Sequence, residues 1–384
     1  MREALLLVGG ERSPEVRHEL AVGPPDPVIW LERDGEATVW TSPLDVTLIG
    51  DAGGVADVRS LNDLGMGELR PKLALPDLFA EMTRRAVDGL TRVRVPWDFP
   101  VRVADGLREA AVEVVADPDA FAARRRAKRE WELEGMRAAG RAAQAALLEA
   151  ARLLRTELDG LTCERIRERM VTVLLAEGAE SEEILIRTGP DMPAGHALGF
   201  GPIVPGYPVQ IDCFPRHRAS GLHIDMSRTW VPGTPSDAAR RHWRDVMDAY
   251  EAAFSAARPG VDDLYHRAAD VLESRGHPTQ RKPNDGLERP DRGFTPSLGH
   301  GVGLEVHEAP SLGRRPDPLA EGDTIAIEPS LRYEGVGSVM VEETVQVSAG
   351  GGRHLLEPLP FGLELPWRAR RGAFARAVRD ACQV

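Results

Sequence analysis

The sequence predicts an α+β protein of two domains, and three observations carry that expectation. At 384 residues the chain has room for two domains of the usual 100–200 residues. Up to about residue 116, short β-like runs alternate with helical ones; beyond Asp117, amphipathic helical periods come first and apolar strand-like runs recur between and after them. Hydrophobic residues make up 42% and charged residues 28%, which fits a packed globular chain and sets aside disorder, collagen and a continuous coiled coil.

In the first segment, residues 4–8, 28–31, 37–40, 46–49 and 111–115 are expected strands of a small α/β domain. The Gly50-Asp51-Ala52-Gly53-Gly54 stretch reads as a turn, because it lacks the glycine order of a phosphate loop. At Asp117-Pro118-Asp119 a helix start appears, with aspartate as N-cap and proline where its missing N–H costs nothing. We therefore place a boundary at 117/118. A long helix should follow, with Met136, Gly140, Ala143, Leu147, Ala150 and Leu154 as its buried stripe and basic residues 124–129 as a solvated face or a linker. A second helix opens at Thr162 and runs towards Ala176, and others are expected over 236–257 and 261–274. Strands are expected at 184–187, 209–214, 222–231, 324–327 and 338–347. Residues 276–293 read as an exposed loop, and residues 367–384, with five arginines, as a short surface helix.

The net charge of −12 argues against nucleic acid or an anionic membrane as a partner, since both need a basic face. Cys163, Cys213 and Cys382 lie far apart, without a CxxC pair, which fits a reducing compartment better than a disulfide framework. The first apolar run is too short for a signal peptide, and none approaches the length of a membrane span. The expectation is a cytoplasmic protein acting on small substrates.

Nine of the ten histidines lie after residue 195, so chemistry is sought where they meet carboxylates. Asp212 ends the run Pro208-Val-Gln-Ile-Asp, and Asp225 sits in Leu222-His-Ile-Asp-Met-Ser. Glu328 closes Thr324-Ile-Ala-Ile-Glu-Pro, Glu342 sits in Ser338-Val-Met-Val-Glu-Glu-Thr, and His300 lies in Gly299-His-Gly-Val-Gly-Leu-Glu-Val-His-Glu. Acids in or beside apolar strands are costly unless paired or bound to a cation. Four of them together point to a cation. The glycines around His300 lack the dinucleotide fingerprint and read as close backbone packing; Cys213 reads as a buried thiol, with no base placed to activate it.

These motifs, with Gly160-Leu-Thr-Cys-Glu and Gly221, closely resemble the pita-bread metallopeptidases over about residues 130 to 362. That family includes methionine aminopeptidases, aminopeptidase P, prolidases and creatinase. The resemblance implies a pita-bread catalytic domain over 118–384, preceded by a smaller creatinase-type α/β domain over 1–117. It implies that Asp212, Asp225, His300, Glu328 and Glu342 hold two divalent ions, manganese first, with cobalt, iron or zinc possible. The oxygen-rich donor set suits such ions. It also implies hydrolysis of the bond before proline by a hydroxide bridging the ions, Glu328 relaying a proton, and His307 and His196 on the substrate side. The chain is expected to form a homodimer and to take small peptides with proline second, as a dipeptidase or an aminopeptidase. Another small amide as substrate, or an inactive peptide-binding module, stand as alternatives.

Two departures qualify the match. The hairpin between Asp212 and Asp225 is longer than the family's and carries Arg216, His217 and Arg218. Where the family has an arginine two residues before the last glutamate, this chain has Met340, which strand alternation places on the face of Glu342. Arg314 is a candidate clamp for a substrate carboxylate.

Overall fold

The computed structural model describes residues 3–192, 195, 197–282 and 292–366. The chain divides into two compact units, Met1–Arg125 and Arg126–Val384, so the Pro118–Arg126 helix goes almost wholly with the first.

A six-stranded mixed sheet forms the first unit, in the order Asp57–Ser60, Glu36–Thr41, Val28–Arg33, Glu3–Gly9, Arg92–Val95 and Glu113–Ala116. Alternation divides its apolar side chains between two cores. Leu6, Ile29 and Leu31 pack with Phe79, Met82 and Leu107 on one face, while Leu5, Leu7 and Trp30 pack with Val16, Leu20 and Phe121 on the other. Residues 46–49, expected as a strand, belong instead to the helix Val46–Ala52. Only Ile49 of that helix is buried, the pattern of one contact per turn, and Gly53 closes it with φ 74°. The glycine-rich stretch is thus a helix end. The strands Asp57–Ser60 and Arg92–Val95 escaped notice because every second residue, or more, is polar or charged.

The basic run 124–129 spans the junction of the two units, the linker of the two readings, and its side chains are paired within each unit rather than left to solvent. Arg124 bonds Glu19 at 2.5 Å and Glu32 at 2.9 Å and lies over the Trp30 ring. In the second unit, Arg126 pairs with Asp323 at 2.5 Å and Lys128 with Glu308 at 2.5 Å. The single long helix expected here is two, Pro118–Arg126 and Glu130–Thr156. The second opens where the Glu132 carboxylate accepts from the Arg129 N–H at 2.8 Å. Its expected stripe is buried throughout.

The second unit is built on an eight-stranded antiparallel sheet. Its order is Glu308–Ser311, Gly299–Gly301, Thr324–Ile327, Glu342–Ser348, Met226–Trp230, Val209–Cys213 and Ile184–Thr188, with Gly351–His354 also paired to Glu342–Ser348. One face is covered in two halves. Helices Glu130–Thr156 and Cys163–Ala176 bury Ile211, Cys213 and Met226; helices Asp237–Ala256 and Leu264–Ser274 bury Ile325, Ile327 and Val345. The Thr162 hydroxyl caps the second of these helices as expected, accepting from the Arg165 N–H.

The run expected over 338–347 is broken at Val341. Gly337–Met340 pairs with Ser330–Tyr333 in a separate two-stranded ladder before the chain joins the large sheet at Glu342. At the break the Thr229 hydroxyl replaces a strand partner, accepting from Met340 N at 3.0 Å and donating to Met340 O at 2.9 Å. The expected strand over 222–231 likewise starts only at Met226. Residues 283–291 of the 276–293 loop and all of residues 367–384 lie outside the described residues.

Candidate metal centre

The register of the large sheet gathers the acids. Glu342 pairs with Ser227, Ser227 with Asp212, and Asp212 with Leu185, forming one row on one face. His300 pairs with Ala326, and Ala326 with Thr344, on the same face one step along. Asp225 and Glu328 stand two residues from Ser227 and Ala326, so the two-residue period carries them there as well. Five residues scattered over the sequence therefore converge on the face that the helices leave uncovered.

Donor atoms of Asp225, His300 and Glu342 lie within 4.8 Å of one another. His300 Nε2 approaches Asp225 Oδ2 at 3.7 Å and Glu328 Oε1 at 3.8 Å. Its Nδ1 lies 3.0 Å from the Gly301 carbonyl. That bond fixes the proton on Nδ1 and leaves the Nε2 lone pair facing the carboxylates, the tautomer of a metal ligand. A side chain on Gly299 would collide with the Ala326 carbonyl, and one on Gly301 with that of Ala309. Close strand approach, as expected, explains these glycines.

Electrostatically the site is deficient in cations. Burial, then the carboxylates of Asp212 and Glu328, hold Asp225 well above the ordinary range. Burial, then Asp225, Asp212 and Glu328, do the same to Glu342. Glu328 is pushed up to about 8 by burial and Asp212. Asp225 Oδ1 is buried with no hydrogen-bond partner. Carboxylates crowded this way either keep their protons or share a multivalent cation. Four acids and one imidazole, with no thiolate among them, are the donor set of a hard or borderline divalent ion.

Around the five stand groups the sequence reading missed. The Thr344 hydroxyl accepts from Asp225 N and donates to Asp225 O, both at 2.9 Å, holding that backbone where its strand has not yet begun. On the opposite face Arg228 is fully buried, paired with Glu343, and donates to the carbonyls of Ser227 at 2.9 Å and Glu342 at 3.1 Å. Met340 stays on the side of the acids although its strand is interrupted, since its partner Gln210 shares the face of Asp212. The chain changes sheets at Val341, and Met340 Sδ receives the Gln210 amide at 2.9 Å. The signal for Thr344 and Arg228 was present in the alternation, but a lone threonine or arginine in a strand has no distinctive pattern.

Among the residues expected on the substrate side, His307 is exposed, with its ring 4.1 Å from that of His300. His196 lies outside the described residues. Arg314 is exposed, and among the described residues no recorded interaction joins it to the five. The hairpin residues Arg216 and His217 pair with Ala179–Glu180, and Arg216 bonds Glu180 at 2.5 Å. Cys213 is fully buried, and burial with the nearby aspartates pushes its thiol up, which leaves it unsuited to nucleophilic attack.

Fold and site thus define a protein with a carboxylate-rich divalent-ion centre on a pita-bread sheet. The sequence pattern of metallopeptidase family M24 matches residues 134–349, and the chain belongs to that family. It is 33% identical over 134 residues to the Xaa-Pro dipeptidase of Pyrococcus furiosus, a match covering 34% of this chain and 35% of that one. The matched segment is therefore about a third of that curated relative's length. The fold is shared with the prolidase from Pyrococcus horikoshii (TM-score 0.73, 22% identity, 95% of this chain and 96% of that one). It is shared equally with the X-Pro aminopeptidase from Thermotoga maritima (TM-score 0.74, 21% identity, 94% and 97%).

Proposed function

We propose that the chain is an exopeptidase that hydrolyses the amide bond before proline, as an Xaa-Pro dipeptidase or aminopeptidase. In this reading residues 118–384 are the catalytic domain and residues 1–117 the creatinase-type domain. Asp212, Asp225, His300, Glu328 and Glu342 hold two divalent ions, manganese by preference. Bound there, the ions supply a deprotonated water near neutral pH and polarise the carbonyl. The observation that carries the reading is the convergence on one face of three acids held far from their ordinary ionisation and an imidazole whose lone pair faces them.

The chain's own groups then divide the work. Glu328, pushed up to about 8 by burial and Asp212, takes a proton and returns it to the leaving nitrogen. His307 donates to the developing oxyanion from beside His300, and His196 is assigned to the substrate side. Thr344 and Arg228 hold the backbones of Asp225 and Glu342. No described helix is long and apolar enough to cross a membrane. We read the protein as a cytoplasmic homodimer with small peptides as its partners.

The test is to strip the protein with chelator, restore Mn²⁺, Co²⁺ or Zn²⁺, and assay Ala-Pro, Ala-Pro-Ala and Ala-Ala-Ala. Cleavage of Ala-Pro alone identifies a dipeptidase; release of alanine from Ala-Pro-Ala identifies an aminopeptidase. Ion binding without turnover of any peptide contradicts the proposed substrate.

A further inference from the structure

His307, the proposed oxyanion donor, stands on a turn and not on a strand. Gly301 pairs with Glu308, and the register slips between His300 and Gly301, so residues 302–307 form the turn that joins the two strands. His307 is the last residue of that turn, exposed, with its ring 4.1 Å from that of His300. A side chain that works from such a position is only as well placed as the backbone that carries it.

The residue after it turns inward. Glu308 Oε1 meets Lys128 Nζ at 2.5 Å, and both side chains are only 2% exposed. Glu308 Oε2 accepts from Glu305 N at 3.4 Å, which ties the carboxylate back into the turn. The Glu305 carbonyl accepts from Gly303 N at 3.0 Å, and the Gly303 carbonyl from His223 N at 2.8 Å. Lys128 itself lies on a fixed segment: Arg126 pairs with Asp323 at 2.5 Å, and Arg129 N donates to Glu132 at 2.8 Å. Gly303 shows how closely the pair is fitted. A Cβ there would stand 2.5 Å from Glu308 Oε1 and 2.8 Å from Lys128 Cε, closer than such atoms approach.

Withdrawing an ammonium and a carboxylate from water is unfavourable, and apolar side chains of the same volume often give equal stability. What the pair adds is geometry: a short, charge-assisted bond between the turn and a segment outside it. We propose that Lys128 and Glu308 are positioning residues for His307, holding the turn so that the imidazole stays beside His300; this rests on the peptidase reading above, in which His307 donates to the oxyanion. They act through His307 and not on the substrate. A displacement of about 1 Å at a working group lowers the rate on the order of 100-fold, so the effect of the pair belongs in kcat.

The test is a double-mutant cycle on the Mn²⁺-loaded protein with Ala-Pro. Lys128→Met should lower kcat roughly 10- to 100-fold with KM changed far less, and in the His307→Ala background the same substitution should change kcat by less than about 2-fold. Gly303→Ala, whose methyl group would meet the ends of the two side chains, parts the pair without removing either charge and should act in the same direction. It carries the comparison if Lys128→Met does not fold. Two readouts are independent of turnover: Mn²⁺ binding by calorimetry should persist in both variants, and in metal-free protein the imidazole NMR signal that His307→Ala removes should shift in both. Equal losses of kcat with and without His307, loss of the ions with Lys128, or an unmoved His307 signal would each overturn the assignment. Wild-type protein that cleaves none of the peptides, while the His307 signal still moves in the variants, upholds the positioning and overturns the peptidase reading.

Discussion

Glu342 and Glu343 are adjacent, on one strand, and equally buried at 1% and 2% exposure. Their surroundings are opposite. Glu342 faces three other carboxylates and is held well above its ordinary range, whereas Glu343 faces the fully buried Arg228 and pairs with it. Burial alone therefore does not decide what an acid does. The two-residue period assigns one glutamate to the face where the acids crowd and its neighbour to the face where Arg228 stands.

That comparison can be broken in several ways. The largest effect is expected from Arg228→Met, which strands a buried carboxylate and should cost about 3–5 kcal/mol in urea unfolding; adding Glu343→Leu should recover most of it. A stable single variant would remove the distinction. Glu342→Gln should act in the opposite sense, raising the stability of metal-free protein by removing one crowded charge. It should weaken Mn²⁺ binding by more than the roughly 10- to 100-fold expected of a supporting group. Thr344→Val, which loses both bonds to the Asp225 backbone, should fall within that 10- to 100-fold range by calorimetry.

A smaller effect follows from pH. Carboxylates in the unfolded chain titrate near 4, whereas Asp225, Glu328 and Glu342 are raised in the folded, metal-free protein, Glu328 to about 8. Between those values the folded state holds more protons than the unfolded one, so stability falls as pH rises through the window. Melting of metal-free protein should drop between pH 5 and 8, by roughly 2–4 °C for each kcal/mol lost. Saturating Mn²⁺ should flatten or reverse the slope. A rising melting point in chelator would contradict the electrostatic picture.

Much of this was legible in the residues themselves. Strands 324–327 and 209–214, the Thr162 helix start and the stripe from Met136 to Leu154 follow from periodicity and capping, which are local. Four of the five candidate ligands stood out as acids in or beside apolar strands, and the resemblance to the pita-bread metallopeptidases completed the set with His300. What sequence missed depends on register. Thr344, Arg228 and Gln210 matter through strand pairing, and nothing in their immediate neighbours marks them. The errors share that origin: Val46 to Ile49 have strand-like composition yet bury only Ile49, and the break at Val341 comes from Thr229 on another strand. The ion pairs of the basic run 124–129 were not legible because its acidic partners, Glu19, Glu32 and Asp323, are remote in sequence.

The most direct test of the metal centre is the stoichiometry of Mn²⁺ bound to chelator-stripped protein, with the protons released on binding measured in the same titration. The account predicts about two ions per chain, protons released as the raised carboxylates ionise, and loss of both signals in Asp225→Asn. Fewer than one ion bound, in protein that remains folded, would contradict it.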